Sequence, residues 1–172
     1  MPRKPKAGKA SKDAPAGSSS KTKKDEDIPV ADLPKLDGEE QGKVPIYDTC
    51  DDIRTKISAH LRKDGTTQAA FARTISAGQS FVVTSAQITA FMRKKGPLAG
   101  NTTKAYYASY VYFEKLRIHQ GKKKTPKREE MEKQWANEKG VYTDRVSENV
   151  SCWLGPGETF TINKYGQSEF GR

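Results

Sequence analysis

The chain has 172 residues, a formal charge of +10 and a pI near 9.5, a length that suits one domain with tails rather than two full domains. Only 34% of the residues are hydrophobic, so the expected core is small. No apolar run approaches the ~20 residues that cross a bilayer, and none follows the basic start Met1–Lys12, which argues against a membrane helix and a secretory signal.

Without an export signal, Cys50 and Cys152 are read as free thiols and the chain as intracellular. Charge is distributed in blocks. Residues 1–24 carry eight Lys/Arg against Asp13 alone, 25–45 carry two against seven acidic residues, and 46–100 carry eight against four. Residues 101–128 carry eight against Glu114 alone, and 129–172 carry five against eight. Two basic blocks thus bracket the expected folded region, as in polyanion-binding tails; the bland alternative is a solvated surface that serves solubility.

In chain order, residues 1–45 read as a disordered tail, basic and then acidic, dominated by Pro, Lys, Ala, Gly and Ser. Within it Ile28–Leu36 carries a few aliphatics among prolines and reads as a linker, the alternative being an extended strip docked on a partner or on the domain. Order is expected from Ile46. Thr49-x-x-Asp52 resembles a capping box, Ile53, Ile57 and Leu61 recur on one helical face, and Gly65 supplies a stop, which predicts a first helix from about Cys50 to Lys63.

Thr67 as cap with Phe71, Ala72 and Ile75 predicts a short second helix, and Ser76–Val83 a loop. Thr84 or Ser85 caps a third helix with Ile88, Phe91 and Met92 buried, ended by Gly96-Pro97. A fourth helix is predicted from about Asn101 to His119. Its aromatics, Tyr106, Tyr107, Tyr110, Tyr112 and Phe113, are too many for one stripe, so some are expected on solvent or on a second element. Thr125-Pro126 opens a fifth helix reaching about Lys139, with Met131 and Trp135 on one face. Beyond it, Ser151–Leu154 and Thr159–Ile162 predict either a small hairpin or an extended strip. The expected architecture is mainly α: a four- to five-helix domain over 46–120 containing a helix-turn-helix, a basic strap and helix over 121–140, and an irregular or hairpin segment over 141–172.

Thr67-Gln68-x-x-Phe71-Ala72 followed by Val83-Thr-Ser-x-x-Ile88-x-x-Phe91-Met92 resembles a helix-turn-helix of the lambda-repressor (Xre-like) type. The physical expectation is that Phe71 and Ala72 pack on Ile88 and Phe91 and leave the opposite face of the second motif helix for the major groove. The wider stretch from about Asp48 to Arg128 is similar to an uncharacterised fungal family carrying such a domain. That likeness rests on Thr49–Arg54, Phe91–Gly96, Ala105–Arg117 and the Lys/Pro-rich run to Lys127-Arg128. It implies a DNA-binding fold and brings no activity with it. One departure is the connection Ser76–Val83, longer than the usual three- or four-residue turn; it either bulges outward or blocks the groove-facing surface.

On this reading Gln87, Thr89 and Arg93 are the candidates for base readout. Phosphate contacts are expected from Gln68, Thr84 and Ser85 at the helix starts and from Lys94, Lys95, Lys104, Lys122, Lys123, Lys124, Lys127 and Arg128. The run Lys122–Arg128 also reads as a nuclear localisation signal. His60 and His119 lack neighbours at ligand spacing, and no phosphate loop, dinucleotide fingerprint or nucleophile triad is present, so neither a metal, a cofactor nor an enzyme is expected. Duplex DNA is the first expected partner. A protein partner, or RNA held by the strap and exposed tyrosines, are the alternatives.

Overall fold

The computed structural model describes residues 30–144 and 151–172. The basic block 1–24 and the disorder expected over 1–29 lie outside the described residues. Five α-helices and one hairpin follow in order: α1 Cys50–Asp64, α2 Gln68–Ser76, α3 Ser85–Arg93, α4 Lys104–His119, α5 Pro126–Gln134, β1 Thr159–Ile162 and β2 Ser168–Gly171. No helix among the described residues is long and apolar enough to cross a membrane.

Threonine opens every helix. Thr49 and Asp52 form a reciprocal capping box on α1, Thr84 and Gln87 do the same on α3, and Thr67, Thr103 and Thr125 cap α2, α4 and α5. Each cap satisfies one of the amides that a helix start leaves without a partner. Gly65 ends α1 in the left-handed conformation at φ 60°, which glycine adopts without a Cβ penalty.

At the centre of the molecule lies α4. Every residue from Ala105 to Tyr112 is buried, as expected of a helix surrounded by packing partners on all sides. Of the two alternatives for its surplus aromatics, solvent or a second element, the structure takes the second: α1, α2 and α3 all pack against it, and Tyr106 and Tyr107 also tie down the chain before α1. The Tyr106 hydroxyl donates to the Asp48 carbonyl at 2.5 Å, and the Tyr107 hydroxyl accepts from the Val44 amide at 3.3 Å.

Residues 30–45 depart from the expected disordered tail. A 3-10 turn at Val30–Asp32 leads into a strip that buries Leu33 and Val44 in the core. The Glu39 carboxylate pairs with Lys115 of α4, both side chains being almost wholly buried. The aliphatics, few as they are, fall where α4 leaves an uncovered flank, and the composition of the wider tail hides that local match.

Helices α2 and α3 pack on each other and on α4. Phe71, Ile75, Ile88 and Phe91 are all buried, and the two phenylalanines have different ring partners. Phe71 lies among His60, Tyr112 and Phe113, whereas Phe91 meets Tyr106 at 6.0 Å and carries the Arg54 guanidinium 5.1 Å above its ring. Ser76 Oγ closes the connection by accepting from the Val83 amide at 2.9 Å.

The last helix, α5, stops at Gln134 instead of reaching Lys139, because the chain turns at Trp135 to Gly140. Met131 and Trp135 are buried as their spacing predicts. Val141 then donates its amide to Ile46 O at 2.7 Å, joining the end of this unit to the strand of chain that leads into α1. The hairpin pairs Thr159–Ile162 with Ser168–Gly171. The partner strand is therefore the C-terminal one, while Ser151–Leu154 stays outside the sheet.

Candidate nucleic-acid interface

Helix α3 exposes one side. Ile88 and Phe91 point inward, while Ser85, Ala86, Gln87, Ala90 and Arg93 are exposed, followed by exposed Lys94 and Lys95. The long α2–α3 connection does not cover this side. Its Phe81 ring turns back onto α4, 6.2 Å from Tyr107, with the Lys104 ammonium 5.4 Å from it.

The end of α3 is held from α1. Arg54 donates to the Gly96 carbonyl at 2.5 Å and the Ala99 carbonyl at 2.9 Å, and pairs with Asp51 at 2.7 Å. Gly100 lies against the Phe91 ring: at φ 104° a Cβ there would stand 2.9 Å from it. The orientation of Arg93, Lys94 and Lys95 is thus set by a buried cation and a close-packed turn. Sequence reading placed Arg54 within the matching motif without assigning it this task.

The expected base-reading residues are partly committed elsewhere. The Gln87 side-chain oxygen accepts from the Thr84 amide at 3.0 Å, which leaves its NH2 outward. Thr89 is half-buried and donates to Gln68 Oε1 at 2.7 Å. That bond ties α3 to α2 and withdraws both Thr89 and Gln68 from the roles expected of them. Arg93 remains fully outward. Thr84 and Ser85 stand exposed at the start of α3.

The basic strap divides in two. Lys122 and Lys123 are exposed, and no described carboxylate pairs with them. Lys124 pairs with Glu132 at 2.8 Å and Lys127 with Asp52 at 2.6 Å. Arg128 is buried, which contradicts its assignment as a phosphate contact. Its guanidinium bonds the Tyr110 hydroxyl at 2.6 Å and Glu132 at 3.0 Å, and lies 3.4 Å from Glu114 and 3.7 Å from Asp48. The rings of Tyr47 and Tyr110 sandwich it.

Electrostatics follow from these contacts. Burial acts to raise the Glu114 pKa, but hydrogen bonds from Arg117 and the charges of Arg128, Arg117 and Lys56 outweigh it and hold the carboxyl below its ordinary range. Burial likewise opposes ionisation of Asp52, and Lys127 and Thr49 reverse it. At Cys50 burial wins: the charges of Arg54 and Lys94 only partly oppose it, and the thiol is pushed up to about 12.

One signal for the candidate interface lay in the sequence and is sharper than the block charges. Residues 65–113 contain no Asp or Glu but hold Arg73, Arg93, Lys94, Lys95 and Lys104. The span covers α2, α3 and most of α4, so the outer side of α3 carries no acidic residue from its own segment. The acidic strip 32–40 docks elsewhere, beside the end of α2 and Lys115, where it borders an open cavity of about 700 Å³.

Residues 44–123 match the model of a family described as a domain of unknown function, DUF7726. The match takes in α1 to α4 and ends before α5 and the hairpin. No curated protein and no solved structure matches the chain.

Proposed function

We propose that α2 and α3 form a helix-turn-helix of the lambda-repressor type, and that the chain is a nuclear DNA-binding protein acting in transcription or on chromatin. The observation that carries this reading is the exposed side of α3, which is free of acidic residues and ends in Arg93-Lys94-Lys95. Its inner side is fixed in the core by Ile88 and Phe91. A rigid helix with an open polar side and a cationic end suits a major groove flanked by phosphates.

With Gln87 half-committed to its cap and Thr89 to Gln68, Arg93 is the main base-reading candidate in this proposal. Affinity then comes chiefly from phosphate contacts by Lys94, Lys95, Lys104, Lys122 and Lys123. Recognition of RNA by exposed tyrosines loses its basis, since Tyr106, Tyr107, Tyr110 and Tyr112 are buried. The pairing of Lys124, Lys127 and Arg128 within the fold favours a second reading, a protein-interaction module with weak polyanion affinity.

Competition gel shifts with duplex DNA, single strands and structured RNA separate these readings. The proposal expects preference for duplex. Sequences selected from a random duplex library by the native chain should lose their preferred base at one position in Arg93→Ala. Equal affinity for all three nucleic acids, or an Arg93→Ala selection indistinguishable from the native one, would favour the interaction module.

A further inference from the structure

The C-terminal hairpin is held at its turn and open along its strands. Trp135 Nε1 donates to the Tyr165 carbonyl at 2.9 Å, and Gln167 Nε2 to the Gln134 carbonyl at 2.6 Å, docking the turn on α5. Every residue of β1 and β2 is exposed. The register Phe160↔Phe170 and Ile162↔Ser168 places Phe160, Ile162 and Phe170 on one side of the sheet, with 39%, 49% and 64% of their surface in water. No described residue pairs with either outer edge of this sheet; a two-stranded sheet alone is marginal in water, and an unblocked edge is a template for another strand.

We propose that a second copy of this chain occupies the β1 edge. The two Thr159–Ile162 strands pair antiparallel about a two-fold axis at Thr161, making a four-stranded sheet. Backbone geometry selects this register. The Asn163 amide bonds the Gln167 carbonyl at 2.9 Å, so by the alternation of an antiparallel ladder the backbone groups of Phe160 and Ile162 point away from β2. Setting Phe160 opposite Ile162 of the other copy makes two hydrogen-bonded pairs and uses every outward group of the strand.

The same register keeps the apolar residues together. Phe170, Phe160 and Ile162 of the other copy form one row across the sheet, and the symmetric row lies beside it. Aromatic and β-branched residues directly opposite one another are favourable cross-strand pairs.

Charge selects β1 over β2. Thr159-Phe160-Thr161-Ile162 contains no charge and no proline, so its own copy meets no repulsion. The equivalent pairing of β2 would set Glu169 directly against Glu169. In the β1 arrangement those carboxylates sit on the outer strands, three strand spacings or about 14 Å apart, beyond the ~10 Å screening length of 0.1 M salt.

The association is independent of DNA binding and is read on the full chain without nucleic acid. Thr161 faces its own copy as a non-hydrogen-bonded pair with Cα atoms about 4.5 Å apart, within the span a disulfide bridges. In a Cys152→Ser background, Thr161→Cys should form a covalent dimer on mild oxidation and Glu169→Cys should not. Thr161→Lys gains a cross-strand partner in Glu169 of its own hairpin but faces another lysine across the axis. Sedimentation equilibrium should therefore show its dimerisation moved to about tenfold higher concentration, with the hairpin intact. A chain that stays monomeric at all concentrations, cross-linking through Glu169→Cys instead, or a dimer indifferent to Thr161→Lys would overturn the proposal. A monomer that takes another protein's strand on this edge would count against it equally.

Discussion

Arg128 illustrates how a charged residue in a basic run comes to serve the fold. The residues before it include Lys122 to Lys124 and Lys127, but the helical turn from Thr125 directs it inward, toward Tyr47 and Tyr110 and toward Asp48, Glu114 and Glu132. Removing one partner of a buried charge cluster leaves the others uncompensated, so Arg128→Ala should cost about 3–5 kcal/mol in urea denaturation. Lys123→Ala, at an exposed position, should be nearly neutral to stability.

The carboxylates of this cluster, with the nearby Asp52 held by Lys127, predict a pH dependence. Glu114, Asp52 and Glu132 titrate below their ordinary values in the folded chain. Groups depressed in this way add stability above their unfolded pKa and lose it as the pH falls through the folded one. The melting temperature should therefore be level at neutral pH and fall as the pH drops below the ordinary carboxylate range. Arg128→Ala should flatten that fall. Cys50 provides a further residue-scale check. Burial and a thiol pushed up to about 12 predict that a thiol reagent at neutral pH labels Cys152 and spares Cys50 until the chain unfolds.

At the scale of elements, closure of the fold depends on Gly140. It stands at φ 103°, and a Cβ there would lie 2.6 Å from both N and O of Ile46. Gly140→Ala should loosen the segment after α5 from the chain leading into α1, lowering stability and exposing Trp135 to quenchers. Phe71→Ala and Phe91→Ala should each cost about 3–5 kcal/mol. Phe71 should couple to Phe113, which it stacks upon, and Phe91 to Tyr106.

The helices were legible because local chemistry marks them. Capping threonines, Pro126 at a helix start and the apolar spacing of Ile53, Ile57, Met131 and Trp135 need no tertiary information. What was not legible depends on neighbours distant in sequence. Whether Tyr107 faces water or core depends on Val44 and Phe81, and whether Lys127 is available depends on Asp52. The docking of Leu33 was one of two open readings and not the preferred one, because a few aliphatics in a polar tail matter only when a flank of α4 is open to receive them. Among the candidate site residues, Arg93, Lys94, Lys95, Lys122 and Lys123 are outward, whereas Gln68, Thr89, Lys124, Lys127 and Arg128 are occupied within the fold.

For the whole molecule, charge separates into regions with different tasks. The cations of 124–128 are paired with carboxylates, Arg128 in the interior and Lys124 and Lys127 at the surface, while those at the end of α3 and at Lys122-Lys123 face water. In the proposed function the second group and Lys104 meet DNA and the first group does not, so the number of outward cations, and not the total charge of +10, sets how strongly binding responds to salt. Each phosphate neutralised contributes about 0.9 to the slope of log affinity against log salt. The most direct test is that slope for a duplex, measured for the native chain, for Arg93→Ala/Lys94→Ala/Lys95→Ala and for Lys127→Ala. The triple variant should bind duplex weakly, with a slope shallower by about 0.9 for each phosphate it no longer engages, and Lys127→Ala should keep the native slope. A native slope in the triple variant would contradict the proposed function and remove α3 from the interface.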